Sequence, residues 1–146
     1  MDTAPAEAPP ADLVGLLARH VRQRPQAPCL IFQDETISFD AFGARVGRMA
    51  AALAGSGVRA GDRVALLAPA GPVFFELLFA CARTGAIMVP INARLSDREV
   101  GEIVADAEPA LVLIAAERMA AAKAAGGPAR VIVAVEGYEV WRDTAA

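Results

Sequence analysis

The reactive side chains of this sequence are few: one histidine, His20, one lysine, Lys123, and two cysteines, Cys29 and Cys81. Nucleophilic catalysis needs a nucleophile, a base and an orienting group within hydrogen-bond reach of one another. His20 shares a helical spacing with Leu13, Leu16, Leu17 and Val21, so it is expected at the packed edge of a helix rather than in a catalytic group. Cys29 lies beside Leu30, Ile31 and Phe32, and Cys81 lies among Leu78, Phe79 and Ala82. Both are expected as reduced, buried thiols, because two cysteines make neither a metal site nor a disulfide framework. Lys123 sits in an alanine-rich stretch with no glycine loop before it.

Two further patterns invite a phosphate reading. Gly55-Ser56-Gly57 to Gly61 is glycine-rich, but it follows a helical stretch and precedes a strand. Phosphate cradling needs the reverse order, glycines opening a helix; these glycines are expected to stop a helix and make a turn. Arg94, after Pro90-Ile91-Asn92, is the best-placed basic residue by position. Its structural reading is a loop residue paired with a nearby acid, and one arginine cannot clamp a phosphate chain. No catalytic, cofactor-binding or metal-ligating residue is therefore assigned.

The elements that position these residues follow from periodicity. Asp12 is placed to cap a helix through Val21, which Arg22, Arg24 and Pro25 end. Cys29 to Gln33 and Glu35 to Ile37 read as a hairpin turning near Asp34-Glu35. Ser38 caps a second helix with the apolar stripe Phe39, Phe42, Val46, Met49, Ala50 and Leu53. Val64 to Leu67 is a buried-type strand, Pro69 to Pro72 breaks it, and Phe74 to Arg83 is a helix ended by Gly85. Ile87 to Val89 is a second strand of this strand–helix–strand unit, whose parallel connection is right-handed in nearly all proteins. Ser96-Asp97-Arg98-Glu99 is a capping box, and the helix it opens has the apolar face Val100, Ile103, Val104 and Ala107. Leu111 to Ile114 and Arg130 to Val135 are further strands, with a helix expected from Glu117 to Ala125. The predicted fold is α/β, a parallel-stranded sheet with helices on both faces. Residues 1–11 are expected as a disordered tail and 12–135 as the ordered unit. Residues 136–146, EGYEVWRDTAA, find no partner in the sequence and are expected as an unfinished or disordered tail.

Composition narrows the function classes. The chain has 146 residues, 55% of them hydrophobic, and a mean hydropathy of +0.41. Such a chain is expected to cover its helices on more than one side. A net charge of −3 with interspersed signs points to no nucleic acid and no anionic membrane. Thirteen of the fourteen basic residues are arginine, a bias expected from gene base composition. Val64 to Ala82 runs for nineteen residues with one charge, Glu76. A spanning helix is disfavoured there by Pro69, Gly71 and Pro72, by arginines on both flanks, and by about 3 kcal/mol for a charge near the bilayer midplane. The amino terminus, MDTAPAEAPPAD, lacks an apolar signal region, so a cytoplasmic protein without a membrane span is expected.

Phe39 to Leu53, Gly57-Val58, Gly61-Asp62-Arg63-Val64, Glu76 to Gly85-Ala86, and Pro90-Ile91-Asn92 with Leu95 occur in an order and spacing that resemble the amino-terminal part of adenylate-forming (AMP-binding) enzymes. These include acyl-CoA synthetases, peptide-synthetase adenylation domains and luciferases. The likeness runs from about Asp12 to Val135, and departs from the family where Pro69-Ala70-Gly71 replaces the usual Asn after the first strand. It implies a partial amino-terminal subdomain of a ligase that activates a carboxylate as an acyl-adenylate, releases pyrophosphate and passes the acyl group to a thiol, commonly CoA. ATP, magnesium and CoA are implied for the complete enzyme, and none for this chain alone. The family's Ser/Thr/Gly phosphate loop, its carboxylates for magnesium and ribose, and its late lysine match no position here. Three readings remain open. The chain is the front portion of such a ligase, a free-standing non-catalytic relative that binds a partner, or an unrelated small Rossmann-like nucleotide binder. The first two leave an apolar face to be covered by the remainder of the ligase, by a protein partner or by self-association.

Overall fold

In a computed structural model, which describes residues 12–120 and 131–144, a four-stranded parallel sheet carries helices on both faces. The expected tail 1–11 lies outside the described residues, as do Lys123 and most of the helix expected at 117–125. Helix α1 spans Leu13–Gln23, and the Asp12 carboxylate accepts the Gly15 N–H at 2.7 Å. Strands β1 (Pro28–Phe32) and β2 (Glu35–Ser38) pair antiparallel. The hairpin turns one residue earlier than expected: Glu35 pairs with Phe32, so Gln33-Asp34 makes the turn and Gln33 takes a positive φ of 51°.

Ser38 caps α2 (Phe39–Gly55), accepting from the Ala41 N–H at 3.2 Å. Strand β3 (Arg63–Leu67) leads through Pro69-Ala70-Gly71 into α3 (Pro72–Thr84), with Pro72 where its missing N–H is harmless. Gly85 ends α3 at φ 74°. Strand β4 (Ile87–Pro90) and α4 (Asp97–Ala107) follow, and both halves of the Ser96–Glu99 capping box form. Strand β5 (Leu111–Ile114) is buried along its length. A single 3-10 turn, Ala116–Arg118, stands where the expected helix was to begin, and β6 (Val131–Ala134) completes the sheet.

Strand order is β4-β3-β5-β6, all neighbours parallel. The period-2 alternation of strand side chains divides the core between the faces. Val64, Leu66, Leu111 and Leu113 pack with Met49 and Leu53 of α2 and Leu77 of α3. Ala65, Leu67, Val112 and Ile114 pack with Val100 and Val104 of α4. A third cluster, Leu17, Ile37, Phe42 and Val46, fixes α1 and the hairpin against α2.

The tail reading of 136–146 is corrected. Tyr138–Thr144 forms a helix, α5, whose Tyr138 and Trp141 join the α2–α3 side of the core. The physical reason is a pairing partner that no local pattern reveals: Arg142 is buried against Glu76.

Candidate functional site

The chain enters the sheet at β3, adds β4 on one side, then crosses to place β5 on the other. Open parallel sheets present their crevice at such a switch point, beyond the carboxyl ends of the strands. Two clefts open there and share the Pro69-Ala70 wall. One, of about 610 Å³, runs from Leu66, Ala68 and Phe74 to Pro90–Arg94. The other, of about 710 Å³, lies between the hairpin turn, the Pro69–Val73 segment and Val135–Glu139.

In the first cleft, Asn92 Oδ1 accepts the Arg94 N–H at 3.0 Å and shapes the loop after β4. The expectation that Arg94 pairs with an acid does not hold among the described residues; its guanidinium is exposed. Arg118 pins this loop instead. It donates to the Ala93 and Leu95 carbonyls at 2.9 and 2.7 Å and to Asp97 at 3.0 Å. Sequence reasoning missed Arg118 because its targets are mostly backbone carbonyls more than twenty residues away, which no side-chain pattern announces.

Behind the second cleft, its lining residues Arg45 and Tyr138 reach a buried ionic cluster. Glu76 is fully buried on α3. It accepts from Arg142 Nη1 at 2.9 Å and from the Tyr138 hydroxyl at 3.1 Å, and Arg45 Nη1 stands 3.6 Å away. Arg45 also bridges outward to Glu35 on the cleft rim. Arg142 donates to Asp143, which takes a further bond from Arg48 at 2.8 Å. A buried charge persists only when paired and hydrogen-bonded, and no buried side-chain polar atom lacks a partner among the described residues.

The protonation states follow from these contacts. The hydrogen bond from Arg142, supported by Arg48, holds the Asp143 carboxyl at about 2. Burial, then the neighbouring Glu76 charge, pushes the Tyr138 phenol well above its ordinary value. For Arg142, burial works against the charged form, but the bonds to Asp143 and Glu76 outweigh it and raise the guanidinium further. The hydrogen bonds that converge on Glu76 thus tie α5 to α3.

The remaining cleft lining is acidic: Asp34, Glu35, Glu136 and Glu139 face it against the one guanidinium of Arg45. Arg45 is engaged by Glu35 and Glu76. Carboxylates of this number disfavour the phosphates of a nucleotide, which carry the same sign of charge. Among the described residues no group of three or more His, Cys, Asp or Glu side chains is arranged to hold a metal ion.

The other residues that drew attention in the sequence lie elsewhere. His20 Nδ1 accepts from Arg24 at 3.2 Å, and its ring lies 4.9 Å from that of Phe39, a packed edge position. Cys81 is buried, its thiol pushed up to about 12 by burial, and Cys29 is half-buried and raised for the same reason. Gly57 takes a positive φ in the turn after α2.

Comparison with known proteins agrees with this architecture. The model of the family described as AMP-binding enzyme matches residues 17–143. A fatty acid–[acyl-carrier-protein] ligase, ScoC of Streptomyces coeruleorubidus, is 31% identical over 137 residues, covering 89% of this chain and 25% of its own. A feruloyl-CoA synthase of an Amycolatopsis species is 37% identical over 115 residues, covering 77% and 23%. The solved N-terminal domain of FACL13 from Mycobacterium tuberculosis superposes with a TM-score of 0.81 at 27% identity, covering 89% of this chain and 35% of that one. The chain thus spans about a quarter of the length of these curated relatives. From the capped helices to the Arg142 clasp, the stretch that matches the family is the stretch that folds around one sheet, and the chain belongs to the AMP-binding enzyme family.

Proposed function

We propose that this chain is the amino-terminal scaffold of an ATP-dependent acid–thiol ligase and does not catalyse adenylation by itself. The complete enzyme activates a carboxylic acid as its acyl-adenylate and transfers the acyl group to a thiol, using ATP, magnesium and CoA or a carrier-protein thiol. The acid class stays at this level, because the relatives' names run from fatty acid to ferulate. The observation that carries the proposal is the lining of the larger cleft, with four carboxylates against one engaged arginine. Acyl-adenylate formation needs positioned donors and a metal clamp around the phosphates, and the proposal gives that role to other parts of the complete enzyme. The reading places the enzyme in the cytoplasm, an aqueous compartment that supplies ATP and CoA, and among the described residues no helix is long and apolar enough to cross a membrane.

Of the other readings, family membership removes the unrelated nucleotide binder. Ala68-Pro69-Ala70-Gly71 also supplies no glycine fingerprint after β3. Calorimetric titration of magnesium-ATP into the 146-residue chain tests the scaffold reading. No saturable heat is expected. Binding lost on substituting Arg45 or Arg94 would give this chain a nucleotide site and overturn the reading.

A further inference from the structure

A groove of about 320 Å³ lies between α1 and the α2–α3 pair, away from both sheet-edge clefts. Val14, Leu17 and Val21 of α1, Val46 of α2 and Phe79 of α3 form its walls. Leu17 and Val46 are buried, and Phe79 is fixed by an edge-on contact with Phe42 at 5.4 Å. On α3 the groove is lined by Phe79 and Arg83, about 10 and 16 Å along the helix from Pro72. Its charged lining, among the described residues, is two arginines, Arg22 and Arg83. Among the described residues Arg83 has no hydrogen bond or ion pair. Its guanidinium lies over α2, Nη1 being 3.6 Å from where a Cβ at Gly47 would stand.

Shape and charge together select an occupant. The volume is near the lower bound of small-molecule sites, about 300–1,000 Å³. At Gly43 the helices pinch together: an added Cβ would meet Val21 Cγ2 at 3.0 Å. A volume of about 320 Å³ accommodates a single extended alkyl chain. Apolar walls without a polar partner do not hold ordered water well, and a guanidinium with no acid beside it favours an anionic head. We propose that this groove binds a medium-chain carboxylate, its alkyl chain along Leu17, Val21, Val46 and Phe79 and its carboxylate at Arg83. The site is separate from the sheet-edge clefts and does not depend on the ligase reading.

The test is a two-dimensional amide NMR titration of the full chain with decanoate below its micelle-forming concentration, beside decanol and decyltrimethylammonium. Saturable shifts are expected on α1, on the Gly43–Gly47 turn of α2 and on the last turn of α3. Decanoate is expected to bind about tenfold more tightly than either comparison ligand. Ala18→Phe, filling the groove from an exposed position of α1, should abolish the shifts. Arg83→Glu should weaken decanoate about tenfold and leave decanol unchanged. Melting curves confirm that each variant folds; should Ala18→Phe not fold, the Arg83→Glu result and the head-group comparison decide alone. No saturable binding, equal affinity for the three ligands, or shifts centred on Ile31 and Phe75, which line a separate exposed apolar groove, would overturn the proposal.

Discussion

Glu76 is the residue on which the α2–α3 side of the core turns. It is the one charge in the apolar run Val64–Ala82, and α5 makes its burial tolerable by bringing Arg142 and Tyr138 to it. Arg142→Ala removes the closest countercharge and leaves a buried carboxylate with only Tyr138 and the more distant Arg45. Chemical denaturation is expected to show a loss of about 3 kcal/mol. The double substitution Glu76→Leu/Arg142→Leu should recover most of it, because apolar replacement of both partners of a buried pair is often neutral or stabilising. A double variant no more stable than Arg142→Ala would show that the charges do more than satisfy one another. Gly85 is a second sensitive position. Its φ of 74° excludes β-branched residues, and an added Cβ would stand 3.1 Å from Ala60 Cβ. Gly85→Val should cost about 1–3 kcal/mol; an unchanged melting temperature would place the end of α3 elsewhere.

Among the elements, α5 behaves as a clasp, and its legibility differs sharply from that of its neighbours. The Ser96–Glu99 capping box, the Ser38 cap and the Gly85 stop were legible because each is written within a few residues. The strand–helix alternation was legible for the same reason. The clasp was not: Arg142 and Glu76 are 66 residues apart, and the sequence around Tyr138 carries no cap or stripe strong enough to announce a helix of seven residues. Of the candidate site, the turn role of Gly57 was legible in the glycine spacing, whereas the acidic cleft was not, since Asp34, Glu35, Glu136 and Glu139 meet only in three dimensions. Ending the chain after Val135 should therefore strip the countercharge from Glu76 and uncover the α2–α3 core, with loss of a cooperative melt followed by far-ultraviolet circular dichroism. A cooperative melt from that shortened chain would return 136–146 to the status of a tail. The clasp also sets an acid limb. Asp143 is held at about 2 in the folded chain, below the ordinary carboxylate value of 3.8. Its stabilising contribution is fully present above about pH 4 and is lost as pH falls through about 2. Asp143→Asn should flatten the stability–pH curve in that window and leave its neutral limb unchanged in slope.

At the scale of the whole molecule, the sheet is covered on both faces, yet apolar surface remains at its margins. Ile31 and Val140 are 73% and 70% exposed, and Ile87 on edge strand β4 and Phe75 on α3 are 49% and 43% exposed. Ile31 and Phe75 line one exposed apolar groove, and contiguous apolar surface of this kind marks interaction. Light scattering coupled to size exclusion is expected to show concentration-dependent self-association, and a clean monomer that binds no hydrophobic dye would contradict that. The central claim, a family scaffold that does not itself adenylate, meets its most direct test in carboxylate-dependent exchange of labelled pyrophosphate into ATP. The 146-residue chain would be assayed over a panel of fatty and aromatic acids, with a full-length homologous ligase as positive control. No exchange above the protein-free baseline is predicted, while exchange by this chain alone, with any acid, would contradict the account.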